Sequence, residues 1–194
     1  MKNIVLKTAL ITLGALAAAG ILFFSLWILI SPQSMATVSE KLGNYSFAVT
    51  CADLKYKYSG DTDDLARCAE DSILSKKDKL IIKYCEPLID KKDFGDICLR
   101  KDEELSRVDY VGSSAADYRT YILGNLAVAQ YRSGNLDKAI ETAKRGDEKC
   151  FTKLVIAIVQ KNSEEEIEKV TSSLNGYDGD YVKGLIALLT QNKS

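Results

Sequence analysis

An uncharged apolar stretch over residues 8–30, TALITLGALAAAGILFFSLWILI, constrains this chain more than any other feature of its sequence. As an α-helix it would be about 35 Å long, because each residue adds about 1.5 Å. That length crosses the hydrocarbon core of a bilayer, which is about 30 Å thick. Trp27 lies near the far end of the stretch, where an indole ring suits the membrane–water interface. We therefore predict a transmembrane helix over residues 8–30.

The charges that flank this stretch predict its orientation. Lys2 and Lys7 precede it, whereas the far flank carries no charge before Glu40. Cytoplasmic flanks of membrane helices are enriched in Lys and Arg. We therefore expect a single-pass protein of the cell membrane, with residues 1–7 in the cytoplasm and residues 35–194 in an extracytoplasmic domain.

A cleaved signal peptide is the alternative interpretation of the same stretch. Ser34-Met35-Ala36 has the small-x-small pattern of a processing site. The apolar core of a secretory signal usually runs for about 7–15 residues, and this stretch is longer, which favours a retained anchor.

The composition of the remaining residues favours helices. Only two prolines occur in the chain, and Ala, Leu, Lys, Glu and Asp are plentiful. The formal net charge of −1 argues against nucleic-acid binding, which needs a basic face. Histidine, the commonest general base and a common zinc ligand, is absent from the sequence. We therefore predict an all-α domain that is not an enzyme and holds no cofactor or metal.

Hydrophobic periodicity divides this domain into helices joined by short turns. Pro87 is expected to kink or end its helix. Ser75 with Asp78, and Ser163 with Glu166, have the spacing of a capping box. In the first half we predict helices over residues 35–58, from residue 62 onward, from 75 to about 87, and after residue 95. A polar linker over 101–113 joins the halves. In the second half we predict helices over residues 114–132, 136–145, 150–160, 163–175 and 181–191.

Residues 123–143, LGNLAVAQYRSGNLDKAIETA, resemble a tetratricopeptide repeat. Leu123 stands at the first large apolar position, Gly134 at the turn, and Ala139 at the small position of the second helix. Small residues there let the two helices approach closely. The resemblance covers one unit well, about residues 120–146, and implies an array of antiparallel helix hairpins, a tetratricopeptide-like α-solenoid.

The unit also departs from the family pattern. Gln130 replaces the expected aromatic residue, Ala143 replaces a bulky apolar residue, and the usual helix-ending proline is absent. A fainter echo of the turn occurs earlier in the chain, where residues 58–66 are similar to residues 132–140. The spacing of the turns is irregular, so a single unit carries the resemblance.

Three residues on the first helix of this unit are candidates for contact with a partner: Tyr118, Tyr121 and Gln130. In the resembled family this helix lines the inner groove, and aromatic residues concentrate binding energy at interfaces. Packing within the array is the alternative role for the two tyrosines.

Four of the five cysteines are placed evenly about predicted turns. Cys51 and Cys68 flank Gly60 at similar distances, and Cys85 and Cys98 flank Lys91-Lys92 in the same way. In antiparallel hairpins each pair would lie at nearly the same height, so disulfides Cys51–Cys68 and Cys85–Cys98 are candidates. The alternative is that each is a small buried apolar residue. Cys150 has no such mate and is expected to be buried.

Clusters of aspartate offer a weaker signal for a metal. Asp61, Asp63 and Asp64, and the pair Asp178 and Asp180, resemble the start of a calcium loop, but neither run continues to the later ligands. Helix capping and turn formation explain both clusters better.

Together these features predict a membrane-anchored scaffold or adaptor that binds a protein or peptide partner at the membrane surface. One alternative is an extracytoplasmic enzyme that uses paired carboxylates in a helical fold. Another is a passive structural spacer, which would expose no apolar patch beyond the anchor.

Overall fold

The computed structural model describes residues 2–107, 117–161, 164–173, 180 and 183–188 of the 194-residue chain. The described residues form helices and no strand, which confirms the all-α prediction. Residues 183–188, inside the last predicted helix, are also helical. The longer helices are α1 (Lys2–Ile30), α2 (Pro32–Lys41), α3 (Tyr45–Ser59), α4 (Thr62–Leu74), α5 (Asp78–Ile89), α6 (Phe94–Arg107), α7 (Tyr118–Arg132), α8 (Leu136–Lys144), α9 (Glu148–Gln160) and α10 (Glu164–Ser172).

Helix α1 contains the predicted apolar stretch. In the described part of the chain it is the one helix long and apolar enough to cross a membrane, over Leu6–Ile30, and no residue of its most apolar window is buried. Ser31 ends it, with a non-helical backbone (φ −140°, ψ 68°). The ring of Pro32 causes this, because proline disfavours the helical conformation of the residue before it.

The prediction of one helix over residues 35–58 is wrong, because the structure divides this segment into α2 and α3. Gly43 adopts φ +71°, a left-handed conformation that glycine reaches without a steric penalty. Its N–H donates to the carbonyl of Glu40, 2.9 Å away. The next residue, Asn44, caps α3, since its Oδ1 accepts from the N–H of Phe47 at 3.3 Å.

Other predicted boundaries have mixed outcomes. Helix α4 begins at Thr62 as predicted. The Ser75–Asp78 capping box is wrong: Ser75 ends α4, and its hydroxyl donates to the carbonyl of Ser72 at 2.7 Å. Pro87 lies in the last turn of α5, which ends two residues later. Ser163 and the linker residues 108–113 lie outside the described residues, as do residues 114–116 of the helix predicted over 114–132.

The helices pack in a consistent order. Helix α3 packs against α2 and α4, α4 also against α5, and α5 against α7. Helix α7 is central to the second half, where it packs against α6, α8 and α9, and α9 packs against α10. The main core runs through α3 to α10, and its fully buried members on α7 include Ile122, Leu123 and Leu126.

A second, smaller cluster joins α1 to the rest of the protein. Met35, Ala36 and Cys51 are buried together, and Ile28 of α1 and Phe47 of α3 pack against them. The rings of Phe24 and Phe47 stack with their centroids 6.3 Å apart. The end of α1 is therefore packed on the helical array rather than separated from it by a linker.

Candidate functional site

Helix α7 presents a single accessible stripe. Between Thr120 and Tyr131 every residue is buried except Tyr121, Asn125 and Val128, which are half-buried. Steps of four and three residues place these side chains on one face of a helix. Any ligand that contacts the middle of α7 would reach it along this stripe.

The accessible side of α9 adjoins this stripe. Lys153 is half-buried, and Ile156, one turn later, is 38% exposed. The stem of Lys153 crosses α7 at Gly124, where a Cβ atom would lie only 2.8 Å from the Lys153 Cδ. Its Nζ lies 5.6 Å from the centroid of the Tyr121 ring, within cation–π range.

We call the surface formed by Tyr121, Asn125, Val128, Lys153 and Ile156 the α7–α9 face. It combines an aromatic ring, two aliphatic side chains, an amide and a cation. Burial lowers the pKa of Lys153, so its charge is less hydrated than that of a surface lysine. A cation in such a setting gains more from an anionic or carbonyl group of a ligand than one in bulk water does.

Two of the three predicted contact residues are interior. Tyr118 is 4% exposed, and its hydroxyl donates to Oε1 of Glu70 at 2.8 Å. Gln130 is 2% exposed; its Nε2 donates to Glu86 at 2.9 Å and its Oε1 accepts from Thr142 at 2.7 Å. Both side chains link neighbouring helices, so their role in the structure is packing within the array. Of the three predicted contact residues, Tyr121 is the one that is accessible.

The position of Gln130 also explains a departure from the repeat pattern. An aromatic ring there could not make both hydrogen bonds that join α5 and α8 through this amide. Glu86 also forms an ion pair with Lys138 at 2.7 Å. Burial alone would raise the pKa of Glu86, but the hydrogen bonds from Lys138 and Gln130 outweigh it and hold the pKa below its ordinary value.

A pair of acids, Glu40 and Asp71, meets between α2 and α4. Arg67 donates from Nε and Nη2 to Oε1 of Glu40, at 3.0 and 2.6 Å, and from Nη2 to the hydroxyl of Thr37 at 2.8 Å. Asp71 is 3% exposed. Burial, with the nearby Glu40 carboxylate, raises the pKa of Asp71 to about 7.

Protonation of Asp71 explains how this pair is tolerated. Its Oδ2 is buried and has no hydrogen-bond partner among the described residues. A proton on this carboxyl gives it an O–H that can donate to Glu40, which removes the repulsion between two carboxylates. A substrate would have to reach an acid that is almost fully buried, beside another that Arg67 already holds. Through Arg67 the arrangement joins α2 to α4.

All five cysteines are buried free thiols, so the predicted bridges Cys51–Cys68 and Cys85–Cys98 are not formed. Cys51 belongs to the small cluster with Met35, whereas Cys68 belongs to the main core, so equal height in the hairpin did not bring them face to face. Burial raises the pKa of Cys68 to about 12 and that of Cys98 to about 11.

Cys150 is buried as expected. Its thiol donates to the carbonyl of Thr120 at 3.7 Å. Burial raises its pKa to about 11, so it is a poor nucleophile at neutral pH.

The aspartates that resembled a calcium loop have other partners. Asp61 caps α4 by accepting from the N–H of Asp63 at 3.0 Å. Asp63 pairs with Arg100 at 2.6 Å, and Asp64 pairs with Lys55 at 3.1 Å. Among the described residues no three potential ligands converge on a metal position. Asp178 lies outside the described residues.

No protein-family model matches the chain, and neither does a curated protein or a solved structure. The class of protein is thus defined by its own fold: where the structure describes the chain, it is all-helical, with one helix that is long and apolar enough to span a membrane.

Proposed function

We propose that this chain is a membrane-anchored interaction module whose α7–α9 face binds a protein or peptide partner on the extracytoplasmic side. The observation that carries the proposal is the composition of that face. A half-buried tyrosine, an accessible isoleucine and a poorly hydrated lysine lie together on two packed helices. Tyrosine is among the residues that carry most of the binding energy at protein interfaces, and the buried centres of such interfaces are apolar.

The packing order of the second half supports a tetratricopeptide-like array. Helix α7 packs against its successor α8 and also against α9, and α9 packs against α10. This is the order expected when the first helices of successive hairpins line one side of an array. The two similar turns also share their geometry: Gly60 and Gly134 both have positive φ, and Asp61 and Asn135 both cap the helix that follows.

The contacts of α1 support a retained anchor. Cleavage after Ala36 would remove Met35 and Ala36, which are 1% and 0% exposed, from their place against Cys51. It would also remove the partner of the Phe47 ring. Loss of these buried groups costs stability. The lysines before the span support the extracytoplasmic placement of the array.

The partner-binding proposal can be tested by site-specific crosslinking in intact cells. A photoreactive amino acid at Ile156 should form a discrete adduct with a partner, whereas the same group at Lys144, an exposed position on α8, should not. In the protein that carries the photoreactive amino acid at position 156, Lys153→Glu should lower the adduct yield about ten-fold, which corresponds to about 1.4 kcal/mol of binding energy. Lys144→Glu makes the same charge change elsewhere and should leave the yield unchanged. Equal adducts at the two positions, or no effect of Lys153→Glu, would contradict the proposal.

The two alternatives make different predictions for the same cells. A passive spacer predicts no discrete adduct at either position. If the protein were an enzyme that uses Glu40 and Asp71, Glu40→Gln would abolish its catalytic activity and leave the adduct at Ile156 unchanged. The Glu40–Asp71 pair is the one observation that favours this second candidate.

A further inference from the structure

The turn between α2 and α3 lies beside the span, not beyond its end. The Phe47 ring on α3 stacks on Phe24, which precedes the last residue of α1 by six positions, or about 9 Å along the helix. Further along α3, the Nζ of Lys55 donates to Oε1 of Gln33 at 2.9 Å. The first turn of α3 therefore lies beside the span near the level of Phe24, and the far end of α3 lies near the start of α2.

Helix α2 therefore leads from the end of α1 to a turn that lies beside the span. It begins at Pro32, directly after the non-helical residue Ser31, and it ends just before the short turn that leads into α3. Since α3 starts at the level of Phe24, the end of α2 lies near that level too. The Ser31-Pro32 step is thus an elbow that returns the chain to the span.

The depth of the bilayer boundary follows from the charges and length of α1. Lys7 is the last charge before the span, so the hydrocarbon core begins near Thr8. A core about 30 Å thick takes about 20 helical residues, which places its far boundary near Trp27. An interfacial position is the one that tryptophan prefers. Phe24, and the Phe47 ring stacked on it, lie about one helical turn inside that boundary.

The residues of the turn suit this depth. Residues 42–52 carry no charge, although charged residues flank them on both sides. Leu42 is 79% exposed, and Tyr45 and Phe47 are half-buried. An isolated leucine this exposed lacks any packing role in the array. Lys41, at the end of α2, is exposed and can extend its ammonium to the headgroups.

We infer that the turn formed by Leu42, Gly43, Asn44 and Tyr45 inserts into the outer leaflet as a second contact with the bilayer. Leu42 meets acyl chains, and Tyr45 lies at the headgroup boundary, where its amphipathic ring is favoured. The inference depends on the proposed membrane span of α1. It goes beyond that span by fixing how the array is held against the lipid.

The single tryptophan of the chain provides the test. Full-length protein is reconstituted in phosphatidylcholine vesicles whose acyl chains carry bromine, a quencher of tryptophan fluorescence. The wild type reports on Trp27. A Trp27→Phe/Leu42→Trp variant reports on the turn, and a Trp27→Phe/Tyr58→Trp variant reports on the far end of α3, where Tyr58 is 72% exposed. Both new positions are exposed, so the substitutions leave the core unchanged.

The inference predicts that the tryptophan at position 42 is quenched to within about two-fold of Trp27, since both lie near the boundary, while that at position 58 is not quenched. Quenching at 42 no greater than at 58, with Trp27 quenched, would overturn the inference and leave the span intact. A Trp27 that is not quenched at all would overturn the span itself.

Discussion

Asp71 shows how one buried side chain can set the pH dependence of a chain without histidine. Its pKa in the folded protein, about 7, lies above the ordinary value of 3.8. The folded state therefore binds a proton that the unfolded state releases between these values, and stability falls as pH rises through this window and is level above it. Histidine, which usually titrates in this range, is absent.

We predict that the free energy of unfolding falls by about 2 kcal/mol between pH 5.5 and pH 8. The fall takes place over the roughly 1.5 pH units below the Asp71 pKa of about 7, and each pH unit contributes about 1.4 kcal/mol. Asp71→Asn should remove most of this difference and raise the melting temperature at pH 8. Thermal unfolding in detergent, followed by circular dichroism at both pH values, measures it. Asp96→Asn, an exposed position on α6, is the control. A pH dependence that survives Asp71→Asn unchanged would contradict the assignment.

A substitution at Gly124 can change partner binding without lowering the stability of the protein. A Cβ atom at this position would displace the Lys153 stem, and with it the ammonium over Tyr121. Alanine is otherwise the better helix former, by about 1 kcal/mol. Because the displaced atom belongs to a flexible side chain, we expect Gly124→Ala to leave the melting temperature unchanged or raised.

The same substitution should lower the crosslinking yield at Ile156 several-fold, since the α7–α9 face loses its ordered cation. Gly95→Ala on α6 is the matched control, because a Cβ atom there meets nothing within 4 Å. It should leave the yield as in the wild type. A Gly124→Ala protein with a wild-type yield would mean that the position of Lys153 is unimportant for binding.

At the scale of helices, the short turn between α2 and α3 depends on its cap. Asn44 supplies the first side-chain hydrogen bond of α3. Asn44→Ala should therefore destabilise the protein by about 1 kcal/mol. Asn44→Asp, which keeps an acceptor at the cap, should restore most of the loss. Chemical denaturation of the three proteins measures both effects, and equal stability of all three would show that the cap contributes nothing.

The helices also show what the sequence can and cannot predict. Long periodic segments with clear caps, such as α4, α8 and α9, were located to within two residues at their starts. The α2–α3 break was missed because one glycine inside a periodic pattern does not by itself end a helix; the following asparagine was the overlooked signal. Ser75 fits a start or an end equally well, and only the packed structure shows which helix it serves.

The site was predictable in part for a similar reason. Tyr121 could be found because an aromatic residue on the first helix of a repeat is a standard candidate for contact. Lys153 and Ile156 were missed because residues 150–160 are so apolar that their pattern predicts a helix buried on all sides. Only the packing of α9 against α7 shows which of its sides stays open. Glu40 and Asp71 are far apart in sequence, so their pairing depends entirely on how α2 folds back.

For the whole molecule, the state of the thiols is a direct check on the fold. The structure predicts that no cysteine reacts with a maleimide in the folded protein, because all five are buried. After denaturation without reductant all five should react, and mass spectrometry counts the adducts. Addition of a reductant before labelling should not change the count. A denatured protein with fewer than five adducts, restored to five by reductant, would establish a disulfide.

The elbow at Ser31 has a mechanical consequence. A domain on a flexible tether samples a volume that grows with the length of the tether. Here α2 begins one residue after the end of α1, so no flexible tether separates the array from α1. With α1 as the proposed membrane anchor, the array would be confined to a thin layer next to the lipid. Molecules that diffuse in the same layer would meet it often, and those farther out would seldom do so.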